Sequence, residues 1–226
     1  MTGVDRACPR QAPTMGPVRI ALLFALGTVS APVAAHPHVF VEGAAGFRFD
    51  EAGRLTALRI TWTYDAFAML VMFNQLGLDP DGDGALDDAD RARIVRGETD
   101  WPEDYDGDVH LDADGTRMPL GRPEGAEAWI ESDRISVAFD LPLAVPLPDP
   151  DGARLRLYDP SYFYAYALGR LEDIHDAPCT ARIQPHVPDM NSDALRLTLA
   201  QLSREQTPEQ PDVGASFSDA AILACD

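Results

Sequence analysis

The sequence predicts an α+β fold, mainly antiparallel β and sandwich-like, with one EF-hand-like helix–loop–helix unit inserted at about residues 66–100. Three observations predict it. Short runs of alternating apolar and polar residues are separated by Asp, Gly and Pro turns, the pattern of strands in an antiparallel body. The period changes at residue 66 to a nearly continuous apolar run. An acidic loop, Asp79 to Asp90, follows that run and leads into a polar helical stretch.

The elements follow in chain order. Val39 to Phe49 alternates loosely and reads as a strand, Asp50 to Gly53 is a turn, and Arg54 to Tyr64 is the return strand of a hairpin. Asp65 can N-cap a helix running to about Leu76. Its residues are apolar at nearly every position, so burial on most sides is expected. A polar helix is expected from about Asp87 to Gly97. Asp112-Ala113-Asp114-Gly115 closes a strand with an Asp-Gly turn. Trp129 to Leu141 contains a strand centred on Ile135 to Phe139, and Arg154 to Tyr158 begins another after the turn Pro148 to Gly152. Tyr162, Tyr164 and Tyr166 alternate with Phe163 and Ala165, and read as core and strand surface. Leu195, Leu197 and Leu199 have the spacing of a late strand, with a helix to Leu202 as the alternative. The tail from Thr207 is Pro-rich and reads as loosely structured.

Composition narrows the function. The 226 residues carry 18 basic and 37 acidic side chains, for a net charge of −19, and every basic one is Arg. No basic excess exists to neutralise phosphates, which argues against a nucleic-acid partner. Arg6, Arg10 and Arg19 precede the ten-residue apolar run Ile20 to Val29, and small residues follow to Ala35. That is the layout of a secretory leader over residues 1–35, with translation starting at Met1 or Met15. Ten apolar residues are too few to cross a bilayer, which needs about 20. Cleavage after Ala35 places Val33 and Ala35 at the small-residue positions and makes His36 the first residue of one exported, periplasmic domain, 36–226, without a membrane span. Cys8 leaves with the leader. Cys179 and Cys225 remain, an even pair in an oxidising compartment, and are expected to form a disulfide; two buried thiols or a soft metal site are the alternatives.

The strongest motif is a calcium loop. Asp79, Asp81 and Asp83 occupy positions 1, 3 and 5 of the twelve-residue EF-hand template. Gly84 takes position 6, where the chain must turn sharply, Ala85 offers its carbonyl at position 7, and Leu86 is the apolar residue at position 8. Asp87 at position 9 acts through water, and Asp90 stands at position 12. A hard cation needs a cage of oxygens, and this spacing gathers five carboxylates around one point. Asp90 in place of Glu, and Arg91 where an apolar residue is usual, point to weak binding. The alternative is an acidic surface turn. The neighbouring run Asp104 to Val109 repeats the Asp spacing but has Val109 where glycine is needed, and reads as a hairpin.

The second motif is His36-Pro37-His38. A terminal His36 offers an α-amine beside its imidazole, a chelate for Zn, Ni, Co or Cu. In an extended chain His38 faces the same side about 6.6 Å away. Pro37 has no amide proton, which prevents a square-planar site through the amides of residues 2 and 3. Further ligands would come from His110, His175 or His186, with Asp173 and Asp176 flanking His175. The alternative is a polar strand start with two satisfied imidazoles. No G-x-S-x-G, P-loop, H-E-x-x-H or C-x-x-C motif is present, so no enzymatic role is expected.

Several segments together resemble a known family. They are the leader followed by His36-Pro37-His38-Val39-Phe40-Val41, then Leu58 to Asp65, the Asp79 to Gly84 loop, Tyr158 to Phe163, and the two late cysteines. The chain resembles bacterial periplasmic proteins of unknown function labelled as the periplasmic component of an uncharacterised ABC-type transport system. Its members are similar to proteins found with nickel/cobalt-type exporters, which implies transition-metal handling and an inner-membrane transporter as partner. Three functions are therefore expected: a metal-binding accessory of a transporter carrying a Ca²⁺ loop, a Ca²⁺-ordered interaction module with no transition-metal role, and a copper oxidase using the N-terminal His.

Overall fold

The computed structural model describes residues 37–79, 81–83, 85–103, 105–132, 134–175, 177–203 and 206–226. The expected leader and His36 lie outside the described residues, as do Pro80, Gly84 and Asp176. In chain order the elements are β1 (Val39–Phe49), β2 (Leu55–Tyr64), α1 (Ala66–Leu76), α2 (Asp88–Thr99), β3 (Val109–Ala113), β4 (Thr116–Arg117), β5 (Glu124–Glu131), β6 (Arg134–Leu147), β7 (Arg154–Leu157), β8 (Tyr164–Leu171), β9 (Cys179–Gln184), α3 (Met190–Leu199) and β10 (Ala220–Cys225).

Strands dominate and form two five-stranded sheets, β5-β6-β2-β1-β8 and β4-β3-β7-β10-β9. Among the described residues every strand pairing is antiparallel except β1 with β8, which is parallel. The inward residues of both sheets belong to one hydrophobic cluster, Ile60, Trp62, Val137 and Phe139 from the first and Val109, Leu111, Leu155 and Leu223 from the second. The sheets approach closely at Gly43 of β1. A β-carbon there would meet Leu157 Cδ1 of β7 at 2.5 Å, so any larger residue would have to push the leucine aside.

The β1–β2 hairpin forms where the sequence places it. Asp50 accepts from the backbone N–H of Ala52 (3.1 Å) and Arg54 (2.9 Å), which holds the turn. Asp65 then N-caps α1 by accepting from Ala68 N at 2.7 Å, and the same carboxylate accepts from Phe40 N at 3.2 Å, tying the helix to β1. The helix ends at Gly77, whose φ of 58° is the left-handed conformation that closes a helix.

Four expectations are corrected and one, over Trp129 to Leu141, is extended. The helix α1 is not buried on most sides: Met72 is buried, while Phe67 is 64% and Leu70 66% exposed. Ala68, Met69 and Phe73 pack on the core from one side only. Trp129 to Leu141 holds parts of two strands, β5 and β6, paired as a hairpin. The Leu195–Leu199 segment is α3, not a strand. Asp189 and Ser192 form a reciprocal capping box, and Leu199 is 1% exposed while Leu197 is 69% exposed. Strand alternation would put both on one face, whereas the helical turn separates them. The tail from Thr207 is not loose: it forms a short 3-10 helix, Val213–Phe217, and β10, which lies between β7 and β9. Residues 105–108 form a turn entering β3, with Gly107 and Asp108 at positive φ; the hairpin partner of β3 is β4, across Asp114-Gly115.

Candidate functional site

The acidic loop joins α1 to α2. Leu78 and Leu86 are both buried and pin its two ends to the core. Between them, ligand oxygens of Asp79, Asp81 and Asp83 lie within 4.8 Å of one another. Local bonds shape the loop: Asp79 Oδ1 accepts from Asp83 N at 2.9 Å, and Asp83 Oδ1 accepts from Ala85 N at 2.8 Å. Crowding of like charge leaves its mark on Asp81, whose carboxyl is raised above the ordinary range by its hydrogen bond to Asp79 and the charge of Asp83. A cation among these oxygens would relieve that repulsion.

The last two expected ligands do other work in this conformation. Asp87 is the N-cap of α2, accepting from Asp90 N at 2.7 Å, and Asp90 completes the capping box by accepting from Asp87 N at 3.3 Å. Asp90 is buried and also pairs with Arg93. Coordination through Asp90 would have to displace that guanidinium.

His38 lies just before β1, half-buried, with its ring 4.6 Å from that of Phe163 and its N–H donated to the Phe163 carbonyl at 2.8 Å. The other histidines are dispersed. His110 is buried in β3, stacked on Tyr158 at 3.7 Å with Nε2 3.0 Å from the Tyr158 carbonyl, and Arg117 meets Nδ1. Burial depresses its pKa. His175 is exposed, and the His186 N–H is donated to Asp219 Oδ1 at 2.8 Å. Among the described residues, no histidine joins a group of three or more metal-ligating side chains. Cys179 and Cys225 are direct partners across β9 and β10 and form a disulfide.

A further cluster went unread in the sequence. Where α2 ends, Trp62, Tyr64, Trp101, Tyr105, Tyr164 and Tyr166 line a cavity of about 210 Å³ together with Glu98. The Tyr64 hydroxyl donates to Glu98, and Tyr166 donates to Asp108 at 2.9 Å. Burial raises Glu98 above the ordinary range, against the bond from Tyr64. Burial and then the charge of Asp159 push Asp108 up to about 7, against hydrogen bonds from Tyr166 and Tyr105. These rings come from β2, β8 and the loop after α2, so no local spacing announces them. The tyrosine stripe read as core and strand surface supplies two of the six.

No helix among the described residues is long and apolar enough to cross a membrane. A comparison with curated proteins found no match. A family model described as "Protein of unknown function (DUF1007)" matches residues 21–225, nearly the whole chain. The chain belongs to that family.

Proposed function

We propose that this chain is an exported Ca²⁺-ordered interaction module, in which an EF-hand-like loop fixes the pose of α1 for a partner at the inner membrane. The observation that carries this reading is the convergence of Asp79, Asp81 and Asp83 in a loop anchored by Leu78 and Leu86. Those carboxylates and the Ala85 carbonyl are the ligands, Asp87 acts through water, and Asp90 joins only by releasing Arg93. That competition and the exposure of Asp81 and Asp83 point to an affinity of about 10⁻⁴ to 10⁻³ M, the range of extracellular modules. The loop begins two residues past the cap of α1, so ordering it steadies the end of a helix that carries exposed Phe67 and Leu70. Export is supported by the leader pattern and the disulfide.

The test is thermal. Near 10 mM Ca²⁺, about ten to a hundred times Kd, binding stabilises by about 1.4 to 2.7 kcal/mol. For a domain of this size that raises Tm by about 3 to 10 °C. Asp79→Ala with Asp83→Ala should abolish the rise; an undiminished rise in the double variant would rule the loop out as the Ca²⁺ site.

Transition-metal delivery to a transporter is the second reading, supported by the family resemblance and by the His36 and His38 spacing. Its metal would be Zn, Ni, Co or Cu. Adding one residue before His36 should weaken metal binding, because it separates the amine from the imidazole. Equal affinity with and without the extra residue would exclude the amine as a ligand.

A further inference from the structure

The cavity at the end of α2 has an unusual combination of walls. Six aromatic rings line it, and carboxyls serve it, half-buried Glu98 and exposed Asp100 in the wall and buried Asp108 behind Tyr166. The side chain acting on Glu98 is the Tyr64 phenol. Those acting most strongly on Asp108 are Asp159, Tyr166, Tyr105 and Asp106. All are acids or phenols. Arg122 donates to the Tyr105 carbonyl (2.9 Å) rather than to either carboxyl.

The site is also held in place before any ligand arrives. Trp101 donates its indole N–H to the Glu98 carbonyl at 2.6 Å and packs edge-on against Tyr105 and Phe139, each at 5.5 Å. Gly107 lies against the same ring: a β-carbon there would collide with Trp101 Cη2. A cage fixed by its own packing loses little freedom on binding.

Ligand classes can be sorted by charge and shape. An anion would meet these acids. A neutral apolar molecule would leave the carboxyls without a countercharge. A bare metal ion would need a shell of converging ligands, and among the described residues no group of three His, Cys, Asp or Glu side chains converges here. An ammonium carrying alkyl groups matches both features, since its positive charge is attracted to aromatic rings and to carboxylates while its alkyl groups pack against the rings. The volume, several times the roughly 30 Å³ share of one water, admits a group of that size. We propose that this cavity binds a small alkylammonium ion, caged by Trp62, Tyr64, Trp101, Tyr105, Tyr164 and Tyr166 and balanced by Glu98 and Asp108.

A second cavity shares Tyr64, Glu98 and Tyr164 with this one and continues along the apolar side of α1, past Phe67, Val71 and Met72. The ammonium could therefore be a free small molecule or the headgroup of a lipid whose chain follows α1, and the experiment separates the two.

The leaderless protein, beginning at His36, is titrated with choline and with tetramethylammonium, followed by calorimetry and tryptophan fluorescence. The control is 3,3-dimethylbutan-1-ol, the uncharged isostere of choline. Saturable binding of one cation per chain is expected, about tenfold or more tighter than the alcohol. Glu98→Gln keeps the size and the acceptor for Tyr64, and should weaken cation binding about tenfold with the circular dichroism spectrum unchanged. Trp101→Leu should weaken it further. Binding of phosphatidylcholine vesicles in addition to choline, but not of phosphatidylglycerol vesicles, would assign the site to a headgroup. Three results overturn the proposal: no saturation by either cation, equal binding of the alcohol, or a Glu98→Gln protein that binds choline like wild type. In the first case, vesicle binding without binding of free cations would place the interaction on the apolar face of α1.

Discussion

Replacing Asp108 with Asn exchanges one carboxyl oxygen for an amide and removes a charge from a site 3% exposed. The substitution is gentle on the backbone, because Asp108 has φ 54° and Asn tolerates that left-handed conformation better than other non-glycine residues. The Tyr166 hydroxyl, now donating to Asp108 Oδ2 at 2.9 Å, keeps an acceptor in the Asn carbonyl. The consequence is electrostatic. In the folded protein Asp108 holds its proton to about pH 7, against an ordinary value of 3.8, through burial and then the charge of Asp159. The unfolded chain has already lost that proton at pH 5 to 6. The folded state therefore binds more protons across the window from about 4 to 7, and stability falls as pH rises through it. About three units at about 1.4 kcal/mol each give a penalty near 4 kcal/mol once both states are ionised at pH 8. Asp108→Asn should match wild type near pH 4 and exceed it by up to about 4 kcal/mol at pH 8, roughly 10 °C in Tm. Urea unfolding at pH 4.5, 6 and 8 measures the difference directly. A difference between variant and wild type that stays constant with pH would refute the assignment.

Other consequences follow from the same structure. Cys179→Ser with Cys225→Ser opens a loop of sequence separation 46 and should cost about 4 kcal/mol in unfolding free energy, measured in urea under non-reducing conditions. Gly43→Val drives side-chain atoms into Leu157 Cδ1, which lies 2.5 Å from where the new β-carbon would stand, and overpacking there should cost about 1 to 3 kcal/mol in the same unfolding assay. Phe67→Ser with Leu70→Ser changes residues that are 64% and 66% exposed, so Tm, read by differential scanning calorimetry, should move by less than about 2 °C. Intact mass of the exported protein should correspond to a start at His36; a start at or before Ala31 would remove the amine from the transition-metal reading.

Legibility of the fold varies with how local the determinants are. The β1–β2 hairpin and the start of α1 are written in consecutive residues: the Asp50 to Gly53 turn, the alternation to Tyr64, and the Asp65 cap. Three leucines at residues 195, 197 and 199 fit either period, and the deciding signal is the Asp189–Ser192 box ahead of them. The strand β10 is the run Ala-Ala-Ile-Leu-Ala-Cys, which shows no alternation because both faces are covered at its start, where consecutive Ala220 and Ala221 are each buried. Pro-rich sequence just before it gives the tail a loose look. The apolar run of α1 resembles a buried helix in composition, and only the tertiary placement leaves Phe67 and Leu70 uncovered.

The candidate sites divide the same way. Asp79, Asp81 and Asp83 are neighbours in sequence, so their convergence follows from a short loop. The roles of Asp87 and Asp90 in the α2 cap, and the pairing of Asp90 with Arg93, depend on where the helix begins. The aromatic cavity joins Trp62, Trp101 and Tyr166 through tertiary packing alone, so spacing carries no trace of it.

Calcium binding at equilibrium tests the central proposal most directly. Calorimetric titration of the leaderless protein with Ca²⁺ should give one site per chain with Kd of about 10⁻⁴ to 10⁻³ M, lost in the Asp79→Ala, Asp83→Ala variant. Absence of binding at millimolar Ca²⁺, or equal binding by that variant, would contradict it.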